Sequence, residues 1–371
     1  FVNGNVILFV AMFIVGGALF ETGMASDIGG VITKFAKTEK QLIIAIMIIV
    51  GMLSGVLSNT GTAAVLIPVV VGVAAKSGFA RSKLLMPLVF AAALGGNLSL
   101  IGAPGNMIAN TALESVNMSF GFFEYAKVGL PMLIAAIIFY STIGFKLLPN
   151  HKGDEKELAY NENDEGIEKA KWKKIFSLVV MIFTIIAMIF EEKIGIKLQI
   201  SACIGAIVLV LFKVISEEEA YNSIDTKTIF LFGGSLSLAT ALQKTGAGTV
   251  IADTIISRLG ENPSPYILLL VILILSSVMT NFMSNTATTA LLVPIGLSIA
   301  TRINADPRAV LMAMVIGGSC AYATPIGMPA NTMVINIGNY KFKDYVIAGG
   351  PLVIISVIIS AILLPIFFPF Y

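Results

Sequence analysis

The feature that most constrains this chain is that it repeats itself. FVAMFIVGGALFETGMASDIGGVI at 9–32 matches FGGSLSLATALQKTGAGTVIADTI at 232–255, each with Thr-Gly following Ala-Leu. Ser54-x-x-x-Ser58-Asn59-Thr60 with Pro68 returns 226 residues later as Thr280-x-x-x-Ser284-Asn285-Thr286 with Pro294. Gly102-Ala103-Pro104-Gly105-Asn106 returns at an offset of 225 as Gly327-Met328-Pro329-Ala330-Asn331. Tyr125, Gly129 and Pro131 return at 220 as Tyr345, Gly349 and Pro351. Four collinear blocks at nearly constant offsets make the chain two copies of one structural unit.

The composition says where such a unit lives. Of 371 residues, 57% are apolar and 12% charged, with a mean hydropathy of +0.91; soluble domains carry about 25% charge. So few charges cannot coat a globule of this size, which excludes a soluble enzyme. Apolar runs fall at about 6–20, 42–57, 62–75, 83–101, 128–148, 175–190, 197–215, 228–242, 266–283, 287–301, 308–326 and 345–370. Their lengths are helical rather than barrel-like, so the expected fold is an all-α polytopic membrane protein. Several runs are shorter than the roughly 20 residues of a full span. The short runs pair across small polar clusters, at about 42–75 and 266–301, and each pair reads as a re-entrant helical hairpin. The Gly-x-Pro-x-Asn blocks interrupt 83–116 and 308–337, which read as broken transmembrane helices.

The remaining features bound the function. Net charge is +2, so no nucleic-acid partner is indicated. Cys203 and Cys320 lie in apolar segments and make no disulfide framework. His151 is the one histidine and lies in a polar loop, so histidine-based catalysis and a HExxH-type metal site are not expected. Lys152 to Lys174 holds seven acidic and six basic residues and reads as a solvated linker, with Trp172 as an interfacial anchor. The organisation expected is a first repeat at 1–148, a charged linker at 149–174 and a second repeat at 175–371. The runs 175–190 and 197–215 precede the second copy without counterparts in the first, leading to the expectation that at least two helices precede Phe1.

Chemistry is expected at the hairpin tips. An asparagine at membrane depth costs several kcal/mol without partners, and its carboxamide can face a cation or an anion. A tip where one short helix ends and another begins points carbonyls one way and free N–H groups the other. Carbonyls with hydroxyls suit Na⁺; N–H groups suit a carboxylate. The same residues are also favoured helix caps, and Asn106 and Asn331 can hydrogen-bond across helices; the matched register of the two copies favours the functional reading without closing the other. No Arg or Lys falls at the tips or breaks, so an anion there is expected to rely on helix N-termini, amides, hydroxyls and an accompanying cation. Glu21, Asp27 and Glu114 sit near predicted helix ends and read as solvated carboxylates.

Twin Ser-Asn-Thr motifs on hairpins, each followed by a glycine-proline-asparagine break, resemble the divalent anion/sodium symporter family, the dicarboxylate transporters, over essentially the whole chain. The resemblance implies inverted repeats, a scaffold and a transport domain, a homodimer in a lipid bilayer such as the bacterial inner membrane, and an elevator movement. It implies Na⁺ coupling, with a first Na⁺ site from Ser54, Ser58, Asn59 and Gly102 and a second from Thr280, Met283, Asn285 and Gly327. Substrate is implied at Asn59, Thr60, Ala103, Pro104, Asn285, Thr286, Met328 and Pro329. Ala103 and Met328 stand where family members usually carry Ser or Thr, which removes two hydroxyl donors. The borrowed topology places 17 of 24 basic residues, Lys227 among them, in the cytoplasm, in agreement with the positive-inside rule. The implied function is secondary transport of small divalent organic anions, with no enzymatic activity. A Na⁺-independent dianion exchanger and a carrier of an inorganic anion such as sulfate are the alternatives.

Overall fold

Each apolar run coincides with a helix, and the helix ends fall where the residues supply caps. A computed structural model describes residues 4–30, 38–151, 170–247, 250, 253–254 and 264–370. Among them the chain is all-helical, with 17 α-helices, a 3₁₀ turn at Gly144–Leu147 and no strand. Most of the linker, 152–169, lies outside the described residues.

The first hairpin is Glu39–Ser54 followed by Asn59–Ser77, and the second is Pro265–Thr280 followed by Asn285–Arg302. Thr38 opens the first with a capping box: its hydroxyl accepts from Gln41 N, and Gln41 accepts from Thr38 N. The first broken helix is Arg81–Gly95 and Pro104–Glu114; the second is Pro307–Gly318 and Pro329–Ile337. Helices Gly4–Glu21 and Thr226–Thr245 carry the other repeated block. Its Thr-Gly pair falls where these helices end, at Gly23 with φ 78° and Gly246 with φ 73°. That left-handed conformation carries no penalty only for glycine.

Two bodies form. The hairpins and broken helices pack together with Ala126–Ser141 and Phe342–Phe367. A second set comprises Gly4–Glu21, Lys171–Ile189, Leu198–Leu211 and Glu217–Asn222. Thr226–Thr245 and Met24–Gly30 lie between them and touch both. The repeats interlock within the first body. Pro104–Glu114 packs on Asn285–Arg302 and Pro307–Gly318 of the second repeat, while Pro329–Ile337 packs on Asn59–Ser77 and Arg81–Gly95 of the first. Asn97 Nδ2 donates to Ser319 Oγ at 2.6 Å between the two breaks, and the rings of Phe90 and Tyr322 meet edge-on at 5.8 Å.

The outer surface is apolar where a soluble protein would be polar. Along Phe342–Phe367, Ile354, Ile358, Ile362 and Ile366 are exposed, while Ser356 and Ser360 face inward and are fully buried. This inverts the usual helix pattern and fits a lipid-facing surface. Among the described residues Lys171–Ile189 and Phe342–Phe367 are long and apolar enough to cross a bilayer; Val6–Glu21, Ala126–Ser141, Leu198–Leu211, Pro265–Thr280 and Pro307–Gly318 are apolar but shorter. Charges gather at the ends. Lys83 pairs with Glu39 at 3.2 Å and lies over Phe145, and its repeat counterpart Arg308 pairs with Glu124 and lies over Phe120 and Phe368. Burial pushes the Glu124 carboxyl up, but hydrogen bonds from Arg308, Gly121 and Lys127 outweigh it and hold the group below its usual value. His151 meets Asp344 at 3.0 Å.

The repeated glycines before Pro131 and Pro351 are explained by close approach. A Cβ on Gly129 would lie 2.0 Å from the Asn97 carbonyl oxygen, and one on Gly349 would lie 2.0 Å from that of Tyr322. Helices Ala126–Ser141 and Phe342–Phe367 therefore rest directly on the backbone of the breaks. Gly349→Ala is expected to lower stability by about 1–3 kcal/mol or more, read as a fall in the thermal midpoint in detergent. The neighbouring Gly350 has nothing within 4 Å of its would-be Cβ, so Gly350→Ala should leave the midpoint unchanged or raise it.

Candidate functional site

The Ser-Asn-Thr motif divides its labour. Ser58 Oγ accepts from Gly61 N at 3.1 Å, and Ser284 Oγ accepts from Ala287 N at 3.2 Å. The two serines adopt nearly the same backbone, φ −67° ψ 142° and φ −62° ψ 147°. The serine is the cap; the asparagine and threonine after it open the second arm of each hairpin. At the breaks the pattern differs. Ala103 and Met328 stand at the N-cap positions of Pro104–Glu114 and Pro329–Ile337, and neither supplies a side-chain cap.

The asparagines of the breaks are clamps. Asn106 Nδ2 donates to the carbonyls of Gly96 (2.8 Å) and Ser99 (2.7 Å), and Asn331 Nδ2 donates to those of Ala321 (2.8 Å) and Thr324 (3.0 Å). Both are fully buried. Tyr125 Oη donates to the Asn106 carbonyl and Tyr345 Oη to the Asn331 carbonyl, at 2.8 and 2.6 Å. Ser99 Oγ ties its break to the Gly55 carbonyl of the first hairpin, and Thr324 Oγ1 ties the other to the Asn281 carbonyl of the second, each at 2.5 Å. Of the two readings left open by the sequence, hydrogen bonding is the one the geometry shows for Asn106 and Asn331, within their own breaks.

The tips meet around a cavity of about 460 Å³. One wall is Ser58, Asn59, Thr60, Gly61, Pro104, Ser284, Asn285, Thr286, Met328 and Pro329. Four helix N-termini, at Asn59, Pro104, Asn285 and Pro329, thus converge on one space. Each presents backbone N–H groups and the positive end of a helix dipole. The opposing wall comes from Gly4–Glu21, with Met12, Phe13, Phe20 and Glu21, and from Ser223, Asp225, Lys227, Thr228 and Leu231. Ala103 lines a small adjoining pocket with Pro104, Asn285 and Thr286.

Beside the first tip, a terminal atom of the Asn59 carboxamide lies 2.9 Å from Ser54 Oγ, 3.0 Å from the Gly102 carbonyl oxygen and 3.2 Å from the Ala92 carbonyl oxygen. As Nδ2 it donates to both carbonyls and the cluster is complete. As Oδ1 it accepts from Ser54 Oγ and stands as a fourth oxygen beside the Gly102 and Ala92 carbonyls, a set that a hard cation can satisfy. These donors fit Na⁺. At the second tip, Thr280 Oγ1 donates to the Gly318 carbonyl at 2.5 Å, and Gly327 approaches so closely that a Cβ would lie 2.8 Å from the Thr280 carbonyl oxygen. Asn285 is half-buried, and among the described residues its side chain has no hydrogen-bond partner.

The structure therefore brings Asn59, Thr60, Pro104, Asn285, Thr286, Met328 and Pro329 to one cavity, with Ala103 alongside. Ser54, Asn59 and Gly102 come together, as do Thr280 and Gly327. Ser58 is engaged as a cap, and Met283 lies beside the second tip. Sequence reasoning missed the opposing wall. Lys227, which the resemblance places in the cytoplasm, lines the cavity. Glu21, read as a solvated carboxylate, is exposed and lines it too. Asp27 pairs with Lys174 at 2.8 Å away from the cavity.

The contrast between clamp and cavity asparagines is measurable. Asn331→Ala leaves two break carbonyls without their donor, and should lower the thermal midpoint through a loss of about 1–3 kcal/mol. Asn285→Ala should leave the midpoint close to that of the parent.

Comparison with known proteins places the chain in a family and a fold. The chain is 23% identical over 562 aligned positions to the uncharacterised transporter YfbS of Escherichia coli, covering 100% of this chain and 92% of that protein. It is 31% identical over 296 positions to an uncharacterised transporter of Methanocaldococcus jannaschii, covering 77% of this chain and 64% of that protein. The sodium-dependent dicarboxylate transporter SdcS of Staphylococcus saprophyticus is 22% identical over 392 positions, with 96% of this chain and 75% of that protein covered. Two solved structures share the fold. The Alcanivorax borkumensis YdaH transporter has a TM-score of 0.69 at 13% identity, over 97% of this chain and 84% of its own. Neisseria gonorrhoeae MtrF has a TM-score of 0.68 at 14% identity, over 97% and 80%. The family profile described as citrate transporter, CitMHS, matches residues 1–317 and again 189–370, and the chain belongs to that family.

Proposed function

We propose that this protein is a secondary transporter that moves small dicarboxylate-like dianions across a membrane, coupled to Na⁺. The observation that carries this reading is the single cavity onto which both Ser-Asn-Thr tips and both proline-led helix ends open. Its size falls in the range of small-molecule sites. Its polar wall is built for anions without arginine: four helix N-termini, two carboxamides and the hydroxyls of Thr60 and Thr286. Each helix end contributes up to roughly half a positive charge, so four together match a dianion. One carboxylate meets Asn59, Thr60 and the backbone at Pro104, the other Asn285, Thr286 and the backbone at Pro329.

Na⁺ would be held by Ser54, Ser58, Asn59 and Gly102 at one tip and by Thr280, Met283, Asn285 and Gly327 at the other. Because Asn59 and Asn285 belong to both sets, filling one favours filling the other. The sodium-dependent dicarboxylate transporters among the relatives support this coupling. Ala103 and Met328 offer no hydroxyl to the substrate, which favours a less hydroxylated anion than citrate. The movement would be an elevator: the hairpin body, carrying the tips, slides against the second body in each protomer of a homodimer.

A second reading has its own observation. With Nδ2 of Asn59 on the Gly102 and Ala92 carbonyls, the first cluster is closed without an ion, as a Na⁺-independent dianion exchanger would require. Proteoliposomes separate the two. The proposal expects uptake of a dicarboxylate driven by a Na⁺ gradient. Counterflow that ignores Na⁺ supports the exchanger, sulfate uptake in place of dicarboxylates supports an inorganic-anion carrier, and movement of none of them contradicts transport of dianions. Asn59→Ala and Asn285→Ala should each abolish uptake in folded protein; retained uptake in both contradicts the assigned site. Gly96→Ala places a methyl 2.6 Å from the Asn59 carboxamide, and should leave the fold intact while weakening uptake.

A further inference from the structure

Lys227 breaks a local rule in a place where the cavity explains it. It lies in the first turn of Thr226–Thr245, which carries no acidic residue. A cation there is repelled by the positive end of its own helix dipole, and such local conflicts cluster at functional positions. The neighbouring carboxylate is engaged with the helix end and forms no ion pair with Lys227. Asp225 accepts from Thr228 N at 3.1 Å and from Thr228 Oγ1 at 2.5 Å, capping the helix. Among the described residues no carboxylate forms an ion pair with Lys227, and its side chain is exposed on the cavity wall. Glu21, a further carboxylate of that wall, comes from a different helix.

The cavity thus has two unlike sides. The tips offer amides, hydroxyls and helix ends; the remaining lining offers one ammonium group, the N-terminus of a fifth helix and the carboxylates of Glu21 and Asp225, of which Asp225 is engaged as the cap of that helix. We propose that Lys227 binds a carboxylate of the substrate, so that the bound dianion reaches from the tips to the helix that lies between the two bodies and monoanions are selected against. This rests on the transport reading above and adds to it a specificity residue outside both Ser-Asn-Thr motifs. The ammonium stands in partly solvated space, so its pairing discriminates by charge without holding the substrate irreversibly.

The test uses reconstituted full-length chain with succinate, monomethyl succinate and Na⁺ as probes. In the parent, succinate should be preferred over its monoanionic monomethyl ester by at least tenfold in KM. Lys227→Gln should raise the KM for succinate about tenfold, equivalent to about 1.4 kcal/mol, and remove most of that preference. The KM for Na⁺ should stay within about twofold, and Lys227→Arg should recover succinate affinity to within about threefold. A Gln variant with the parental KM for succinate overturns the inference while leaving the transport reading intact, as does an Arg variant as impaired as Gln. Should Lys227→Gln fail to fold, the parent and Lys227→Arg still decide: a parent that does not distinguish succinate from its monomethyl ester overturns it. A parent that moves no dianion overturns the transport reading and this inference with it.

Discussion

Everything in this structure follows from interrupting helices inside an apolar body. A backbone carbonyl or N–H released there finds no water and must be paired within the protein. The chain meets that demand asymmetrically. The carbonyls released by the breaks are clamped by Asn106 and Asn331, and the clamps are themselves held by Tyr125 and Tyr345. The N-terminal turns of the helices that begin at Asn59, Pro104, Asn285 and Pro329 instead open on the cavity. The device that makes a broken helix tolerable is therefore also the one that makes an anion site.

The duplication gives this device its shape. Each repeat supplies one hairpin tip and one break, and the interlock sets the N-terminus of one repeat's broken helix against the other's hairpin: a Cβ on Gly105 would lie 2.8 Å from Thr289 Oγ1. Neither copy alone encloses the site. The copies have also diverged where function can bear it. Gly55 corresponds to Asn281, whose carboxamide adds bonds to the Ser277 and Cys320 carbonyls and accepts from Ala323 N. The second break is the more heavily tied, and the first is where the Asn59 carboxamide has two usable orientations.

Much of this was legible because it is local and periodic. The hairpins and breaks showed as short apolar runs around Ser-Asn-Thr and Gly-x-Pro-x-Asn, and the repeated Tyr, Gly and Asn turned out to be one hydrogen-bonded unit around each break. What stayed hidden was set by packing between distant segments. Nothing near Lys227 in sequence announces a cavity, since the other residues lining that space are about 165 to 170 residues away at the first tip, about 120 at the first break and about 60 to 100 at the second tip and break. A basic residue in the first turn of an apolar helix was the available signal, and it reads equally well as a membrane rim. The division of Ser58-Asn59-Thr60 into cap and cavity residues needed the backbone angles.

The central claim is that an anion binds between the two hairpin tips, against four helix N-termini. The most direct measurement is an experimental density map of the protein in lipid, with Na⁺ and the dianion it transports best. The account predicts density for that anion in contact with Asn59, Thr60, Asn285 and Thr286, beside Pro104 and Pro329. Density for the anion elsewhere in the protein, with the space between the tips holding only water, would contradict it.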